Sequence, residues 1–212
     1  GGSGIGAALT EGFLRQGVKV AFCQRSDATA FCDAMEQATG NRPLFLPCDI
    51  SVTDQLQLTL STAAKVNGPI TVLVNNAAND QRHETLKTDE TFWDWSINVN
   101  LRSYFFACQA VIPGMKAAGG GSIINFSSIS FMMADTGYAA YITANAGIVG
   151  LTRTLAREFG PPEGLAAHLE RQCLPDPIQP EDVTGTVLFL ASDASKMMTS
   201  QTLILDGGYI SS

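Results

Sequence analysis

Residues 121–150 read GSIINFSSISFMMADTGYAAYITANAGIVG. Ile123, Ile124 and Phe126 make a short apolar run of the kind that forms a buried strand. Ser127 and Ser128 stand at its end, a loop follows, and a helix then carries Tyr141 and, four positions on, Asn145. Residues four apart share one face of a helix. Ser128 precedes Tyr141 by 141 − 128 = 13 positions. A hydroxyl at a strand tip facing a tyrosine on the next helix is a proton-transfer arrangement.

The same strand-then-helix unit recurs on both sides. GGSGIG opens the chain and leads into AALTEGFLRQG, whose Ala7, Ala8, Leu9, Phe13 and Leu14 fall at helical spacing and stop at Gly17. VKVAFCQR is a strand, a helix runs from about Asp27 to Thr39, PLFLPCDI is a strand, and Thr53 to Lys65 is helical. ITVLVNNAAN is a further strand ending in a turn, followed by a long helical region from Asp89 to Lys116 interrupted near Asn98–Asn100. After the Tyr141 helix, PEDVTGTVLFLASDAS reads as a helix and QTLILDGGY as a last strand. Continuous apolar strands alternating with helices predict a parallel sheet covered on both faces, a doubly wound α/β fold of Rossmann type forming a single domain over 1–212. A glycine-rich phosphate loop ordinarily follows a strand. The expected strand ahead of Gly1, central in such a sheet, and a second one near Gly160–Pro161–Pro162 are read as missing from the sequence.

At 212 residues the chain can bury a substantial core. Thirteen basic against 20 acidic residues, a net charge of −7, leave no basic footprint for nucleic acid or an anionic membrane. No run of about 18 apolar residues spans a membrane and no signal peptide opens the sequence. Cys23, Cys32, Cys48, Cys108 and Cys173 form no C-x-x-C pair, so reduced thiols in a cytoplasmic protein are expected, and no metal site.

Gly2–Gly6 (GSGIG) opening a helix would aim backbone N–H groups and the helix dipole at a pyrophosphate. Gln24 and Arg25 end the second-position strand without a carboxylate. An acidic residue there would hold the ribose hydroxyl of NAD, whereas arginine pairs with the 2′-phosphate of NADP. NADP is therefore expected, with Asp27 keeping NAD open. Asp49, Ser51 and Thr53 are the residue types that cap a helix start.

Together these motifs resemble the short-chain dehydrogenase/reductase family, whose pattern is Ser followed by Tyr-x-x-x-Lys. The resemblance covers nearly the whole chain. It implies a cofactor loop at Ser3, Gly4, Ile5 and Gly6, an adenine site at Asp49 and Ile50, and a ribose side bounded by Asn76 and Ala77, with Asn75 tying strands together. Asn100 matches the family asparagine that supports a proton relay, with Asn98 as its competitor. Ser128 and Tyr141 would bind the reacting oxygen, Tyr141 as acid or base. Tyr138 is a decoy, since its fourth neighbour is Ile142. The lysine that should touch the nicotinamide ribose and acidify the tyrosine is here Asn145. A tyrosine phenol ionises near pH 10, so only roughly one part in a thousand is phenolate at pH 7. A cation within about 4–6 Å changes that by one to three units and an amide does not.

NNAANDQRH and VNLRSYFFACQAVIPGMKAAGGGSIINFSSIS resemble the aldose 1-dehydrogenase branch, acting on xylose or arabinose. Asn79, Asp80, Arg82 and His83 follow a strand at the carboxyl end of the sheet, where ligands bind, and are candidates for sugar hydroxyls alongside Ser128 and Tyr141. A 3-oxoacyl thioester reductase is the alternative within the enzymes. A nucleotide-binding protein without turnover is the alternative outside them, favoured by Asn145. The resemblance further implies a homo-tetramer.

Overall fold

The computed structural model describes residues 1–133 and 135–159, together with Cys173, Leu174, Asp176, Phe189, Ala194 and Lys196. The expected break at Gly160–Pro162, the later helix and the last strand lie outside the described residues. The chain divides into two compact units, Gly1–Val149 and Gly150–Ser212, and every candidate site residue falls in the first.

The elements alternate as the residue pattern requires. They run α1 (Gly4–Arg15), β1 (Ala21–Gln24), α2 (Thr29–Thr39), β2 (Leu44–Pro47), α3 (Thr53–Asn67), β3 (Val72–Asn75), α4 (Glu90–Ile97), α5 (Ser103–Ala117), β4 (Ser122–Asn125) and α6 (Ala139–Phe159). Helix α2 begins two residues later than expected because the Asp27 carboxylate accepts from the Thr29 N–H at 3.3 Å and its hydroxyl at 2.7 Å, holding a turn ahead of the helix. It ends at Gly40, whose φ of 77° suits a residue without Cβ and lets its N–H reach the Glu36 carbonyl at 2.8 Å. Asp89 caps α4 by accepting from the Phe92 N–H at 2.8 Å. The expected interruption near Asn98–Asn100 is a π turn over Asn98–Arg102, continuous with α4 and α5.

The strands are parallel. Ala21–Gln24 pair with Leu44–Pro47, and Val72–Asn75 with Ser122–Asn125. The doubly wound plan holds, but among the described residues the strands form two separate two-stranded sheets. No described strand bonds to the free edge of β1 or to that of β3. Both edges instead face one cavity of about 420 Å³, roofed by Leu9 and Phe13 of α1 and reached by Gly1. That slot is the position at which the sequence reading places a central strand.

The core lies between the sheets and their helices. On α5 the side chains of Tyr104, Ala107, Cys108, Val111, Ile112 and Met115 recur at helical spacing and are all buried, and α5 packs on α3, which buries Leu56 and Ala63. Helix α1 packs on α2 and buries Leu14, worth about 2 kcal/mol of transfer free energy. Ala140, Ala144 and Ile148 give α6 a narrow buried stripe that fixes which way its polar residues turn.

Candidate active site

The glycine loop stands at the start of α1. Ser3 is extended and its hydroxyl does not cap the helix, while Gly4 takes a left-handed φ of 51°, leaving the first amides of α1 directed outward. A Cβ on Gly6 would lie 3.1 Å from the Gly1 Cα and 3.2 Å from the Asn76 amide nitrogen, so only glycine lets α1 approach the tip of β3 this closely. Gln24 braces the loop, accepting from the Gly2 N–H at 2.9 Å. Gly6, Ile50, Asn76 and Ala77 line one cavity. The residues assigned to a dinucleotide therefore meet at one end of the strands, where Gly6 lets the start of α1 pack closely against Gly1 and Asn76. The chain fits such a cofactor.

At the ribose end, Arg25 is exposed just beyond β1. The Asp27 carboxylate is engaged by Thr29. Asp49 caps no helix side chain-to-backbone at α3; it accepts from the Ser51 hydroxyl at 2.7 Å and the Ser51 N–H at 3.0 Å, which hold its carboxyl below the usual carboxylate range. Beside it is a pair that sequence reading missed. Cys23 on β1 and Cys48 just past the end of β2 bring their thiols together. Interaction with Cys48 and burial push the Cys23 thiol up, and the same interaction holds Cys48 below the ordinary thiol range. All described cysteines are free thiols.

Ser128 ends the β4 segment and caps a single 3₁₀ turn, Ile129–Phe131, with its oxygen accepting from the Ser130 N–H at 3.2 Å. That bond uses a lone pair and leaves the hydroxyl proton to donate. Tyr141 sits in the first turn of α6 and stacks on Tyr138 with ring centroids 5.5 Å apart. Tyr138 is committed elsewhere: its hydroxyl donates to Asp135 at 2.6 Å, which raises its pKa, and the Arg82 guanidinium lies 3.7 Å above its ring. Tyr104, not singled out by the sequence, is buried close to Tyr141; burial first, then that neighbour, push its phenol up.

Asn145 is 3% exposed and turns its amide back on its own helix, donating to the Tyr141 carbonyl at 2.9 Å. The Ser127 hydroxyl donates to the Asn145 carbonyl at 2.9 Å and ties α6 to the tip of β4. Asn75 ties β3 to β4, its amide donating to the Asn125 side chain at 2.9 Å. Asn100, 1% exposed, accepts from the Asn79 N–H at 2.8 Å and donates to the Asn79 and Ser96 carbonyls at 2.9 Å each. The π turn aims that amide inward and so pins the loop after β3. Asn79 in turn accepts from the Gln81 N–H at 2.9 Å, and the His83 ring nitrogens meet backbone, at Gln81 and Ala140. Ser130 carries a buried hydroxyl without a partner among the described residues.

This geometry has a counterpart among known proteins. The model of the short chain dehydrogenase family matches residues 1–163, and that of Enoyl-(Acyl carrier protein) reductase matches residues 160–210. The chain belongs to the short-chain dehydrogenase family. It is thus an oxidoreductase of a family that uses NAD(P). A protein of Rhizobium meliloti (strain 1021), provisionally named galactose dehydrogenase GalD, is 42% identical, covering 98% of this chain and 91% of its own. The D-xylose 1-dehydrogenase of Caulobacter vibrioides (strain NA1000 / CB15N) is 41% identical, covering 99% and 92%. Among solved structures, a protein provisionally named a short-chain alcohol dehydrogenase, from Sinorhizobium meliloti 1021, superposes with a TM-score of 0.71 at 27% identity over 97% of this chain and 92% of its own. The alignment to the galactose relative runs over 234 positions against 212 residues here, so at least 22 of them (234 − 212) have no counterpart in this chain.

Proposed function

We propose that this short-chain dehydrogenase has the site of an aldose 1-dehydrogenase, oxidising the anomeric C–OH of a sugar such as xylose, arabinose or galactose to a lactone with NADP. The observation that supports the reading is that Ser128, beyond the carboxyl end of β4, and the first turn of α6, which bears Tyr141, follow the strands on the side where the start of α1 meets Asn76. The names of the two relatives above 40% identity point the substrate toward aldoses.

The nicotinamide, when bound, accepts the hydride. The chain's own residues manage the proton. Ser128 hydrogen-bonds the sugar oxygen, and Tyr141, as its phenolate, takes the proton that this oxygen loses as its carbonyl forms. Asn76, Ala77 and the loop amides at Ser3–Gly6 hold the cofactor. Asp49 and Ile50 would hold its adenine end, and Arg25, with Asp27 turned to Thr29, would pair with a 2′-phosphate. Asn79 and His83, whose side chains meet backbone, shape the loop beside the sugar.

A second reading is favoured by one observation. The buried Asn145 amide faces the Tyr141 carbonyl and brings no positive charge to the phenol, which suits a chain that binds dinucleotide and turns over little. Titration calorimetry with NADP and NAD, paired with an aldose screen on the full chain and on Asn145→Lys, separates the two. Pentose- or hexose-dependent NADPH formation by Asn145→Lys supports the dehydrogenase site; tight dinucleotide binding without turnover in either protein supports the second reading. Arg25→Ala should lower NADP affinity by about tenfold and leave NAD unchanged, as expected for loss of one exposed phosphate contact. The reduced thiols suit a cytoplasmic enzyme, and the apolar run over 139–155, whose Ile142, Val149 and Leu151 stay partly exposed beside the buried stripe, suits tetramer assembly, which sedimentation would test.

A further inference from the structure

Helix α6 has no cap of its own. The residue ahead of Ala139 is Tyr138, which lacks the short polar side chain that ordinarily receives first-turn amides. The carbonyls just before it are occupied from elsewhere: Gly137 accepts from the His83 N–H at 2.8 Å and Thr136 from the Arg82 guanidinium at 3.2 Å. The Ala140 N–H, in a residue 0% exposed, would have no acceptor within its own segment. It points at His83 Nε2, 3.3 Å away. The other ring nitrogen, Nδ1, lies 3.2 Å from the Gln81 carbonyl, which can only accept. The two contacts together demand one tautomer, hydrogen on Nδ1 and a lone pair on Nε2. The ring is held in place against Phe92, with centroids 4.6 Å apart. The segment bearing it is anchored at its other end by the Asn79–Asn100 bonds.

We propose that His83 is a positioning residue for Tyr141: its neutral imidazole caps the first turn of α6 from a distant loop, and its protonation removes the cap. Tyr141 is the next residue after Ala140, so the cap fixes the turn from which the phenol projects. An imidazolium carries hydrogen on both nitrogens and cannot accept from Ala140. It also places positive charge at the positive end of the helix dipole. The charged groups nearest the ring are Asp89, the cap of α4, and Glu90, which line a cavity with His83; Arg82 lies over the Tyr138 ring, Asp135 is bonded to the Tyr138 hydroxyl, and Glu84 is paired with Lys87. Acidification therefore loosens the tyrosine's helix before any ligand is present. The catalytic meaning of the cap rests on the proposed dehydrogenase reading; the cap itself does not.

The test begins on the ligand-free full chain, labelled with ¹⁵N. The sequence has two histidines, His83 and His168, so His83→Gln assigns the imidazole signals by difference. The expected result is the Nδ1–H tautomer at neutral pH, with an Ala140 amide protected from hydrogen exchange. On acidification that protection is lost with the same midpoint as the His83 ring titration. His83→Gln, whose side-chain oxygen still accepts, keeps the protection and abolishes its pH dependence. His83→Phe, which preserves the ring stack on Phe92, loses protection at every pH. In the Asn145→Lys background, His83→Phe lowers kcat by about 10- to 100-fold, the scale of a misplaced catalytic group, with little change in cofactor Kd, and His83→Gln restores it. An Nε2–H tautomer, or Ala140 protection indifferent to the ring titration and to His83→Phe, overturns the proposal. Absence of turnover in every variant, with the exchange results as expected, counts against the dehydrogenase reading and leaves the cap established.

Discussion

Replacing Asn145 by lysine is the most direct test of whether a cation beside Tyr141 governs turnover. Tyr141 and residue 145 are one turn apart, about 6 Å along the helix axis, and a lysine side chain is long enough to bring its ammonium within about 5 Å of the phenol. At an effective dielectric of about 20, a unit charge at that distance stabilises a phenolate by about 3 kcal/mol, or about two pKa units. The fraction of ionised tyrosine at neutral pH then rises by about 100-fold, within the range of 10- to 1000-fold set by the dielectric. The same substitution has a cost. Position 145 is 3% exposed, and the amide bond to the Tyr141 carbonyl is lost, so the variant should be about 1–3 kcal/mol less stable. The Ser127 bond to the residue-145 carbonyl survives, because it is made to backbone. The assay is the rate of NADPH formation on saturating xylose, arabinose and galactose across pH 6–10. Turnover should rise by about two orders of magnitude at neutral pH, and the basic limb of the pH–rate profile should move to lower pH. A folded, cofactor-binding Asn145→Lys whose rate stays within about twofold of the parent would refute the electrostatic reasoning.

Asn100→Ala removes three buried hydrogen bonds and leaves the Asn79 backbone partly unpaired, so chemical denaturation should show a loss of about 2–4 kcal/mol. Ser51→Ala frees the Asp49 carboxylate. A depressed carboxyl pKa adds stability above the unfolded value of about 3.9 and loses it as pH falls through the folded value, so the variant should be about 1 kcal/mol less stable at pH 7 and equal to the parent at pH 2 in urea titrations. Cys23→Ala removes the neighbouring thiol that lowers Cys48. Burial then dominates, and the midpoint of Cys48 alkylation against pH should shift upward from that of the parent.

Much of this was legible where the signal is local. The strand–helix alternation, the glycine turn opening α1 and the interruption at Asn98–Asn100 are written in apolar spacing and breaker residues, and the structure places an element or a π turn at each. The likeness of Asn75 to a strand tie also corresponds to a bond, to Asn125 fifty residues away. Long-range commitments left no such trace. Nothing within residues 79–83 says that His83 reaches Ala140, because the contact depends on how α4 and the Asp135–Tyr138 loop stack. Cys23 and Cys48 look like isolated core thiols until parallel pairing of β1 with β2 brings them together. The resemblance sets Asn145 where a lysine is expected, but the turn of its amide toward the Tyr141 carbonyl follows from burial, which removes water as a partner. The split of the sheet follows from which edges find partners, a property of no single segment.

The π turn at Asn98–Arg102 has a further consequence for how this protein tolerates change of length. Such a turn holds one residue more than an α-helix would use over the same rise. It works as a phase offset: everything from Ser103 onward is rotated by about 100° relative to an uninterrupted helix continuing from α4. Removing a single residue here would ease the backbone into regular geometry while swinging Tyr104, Cys108 and Val111 off the face they now share. The irregular turn is thus the setting that brings two otherwise incompatible helical registers, one facing Asn79 and one facing α3, into the same continuous rod.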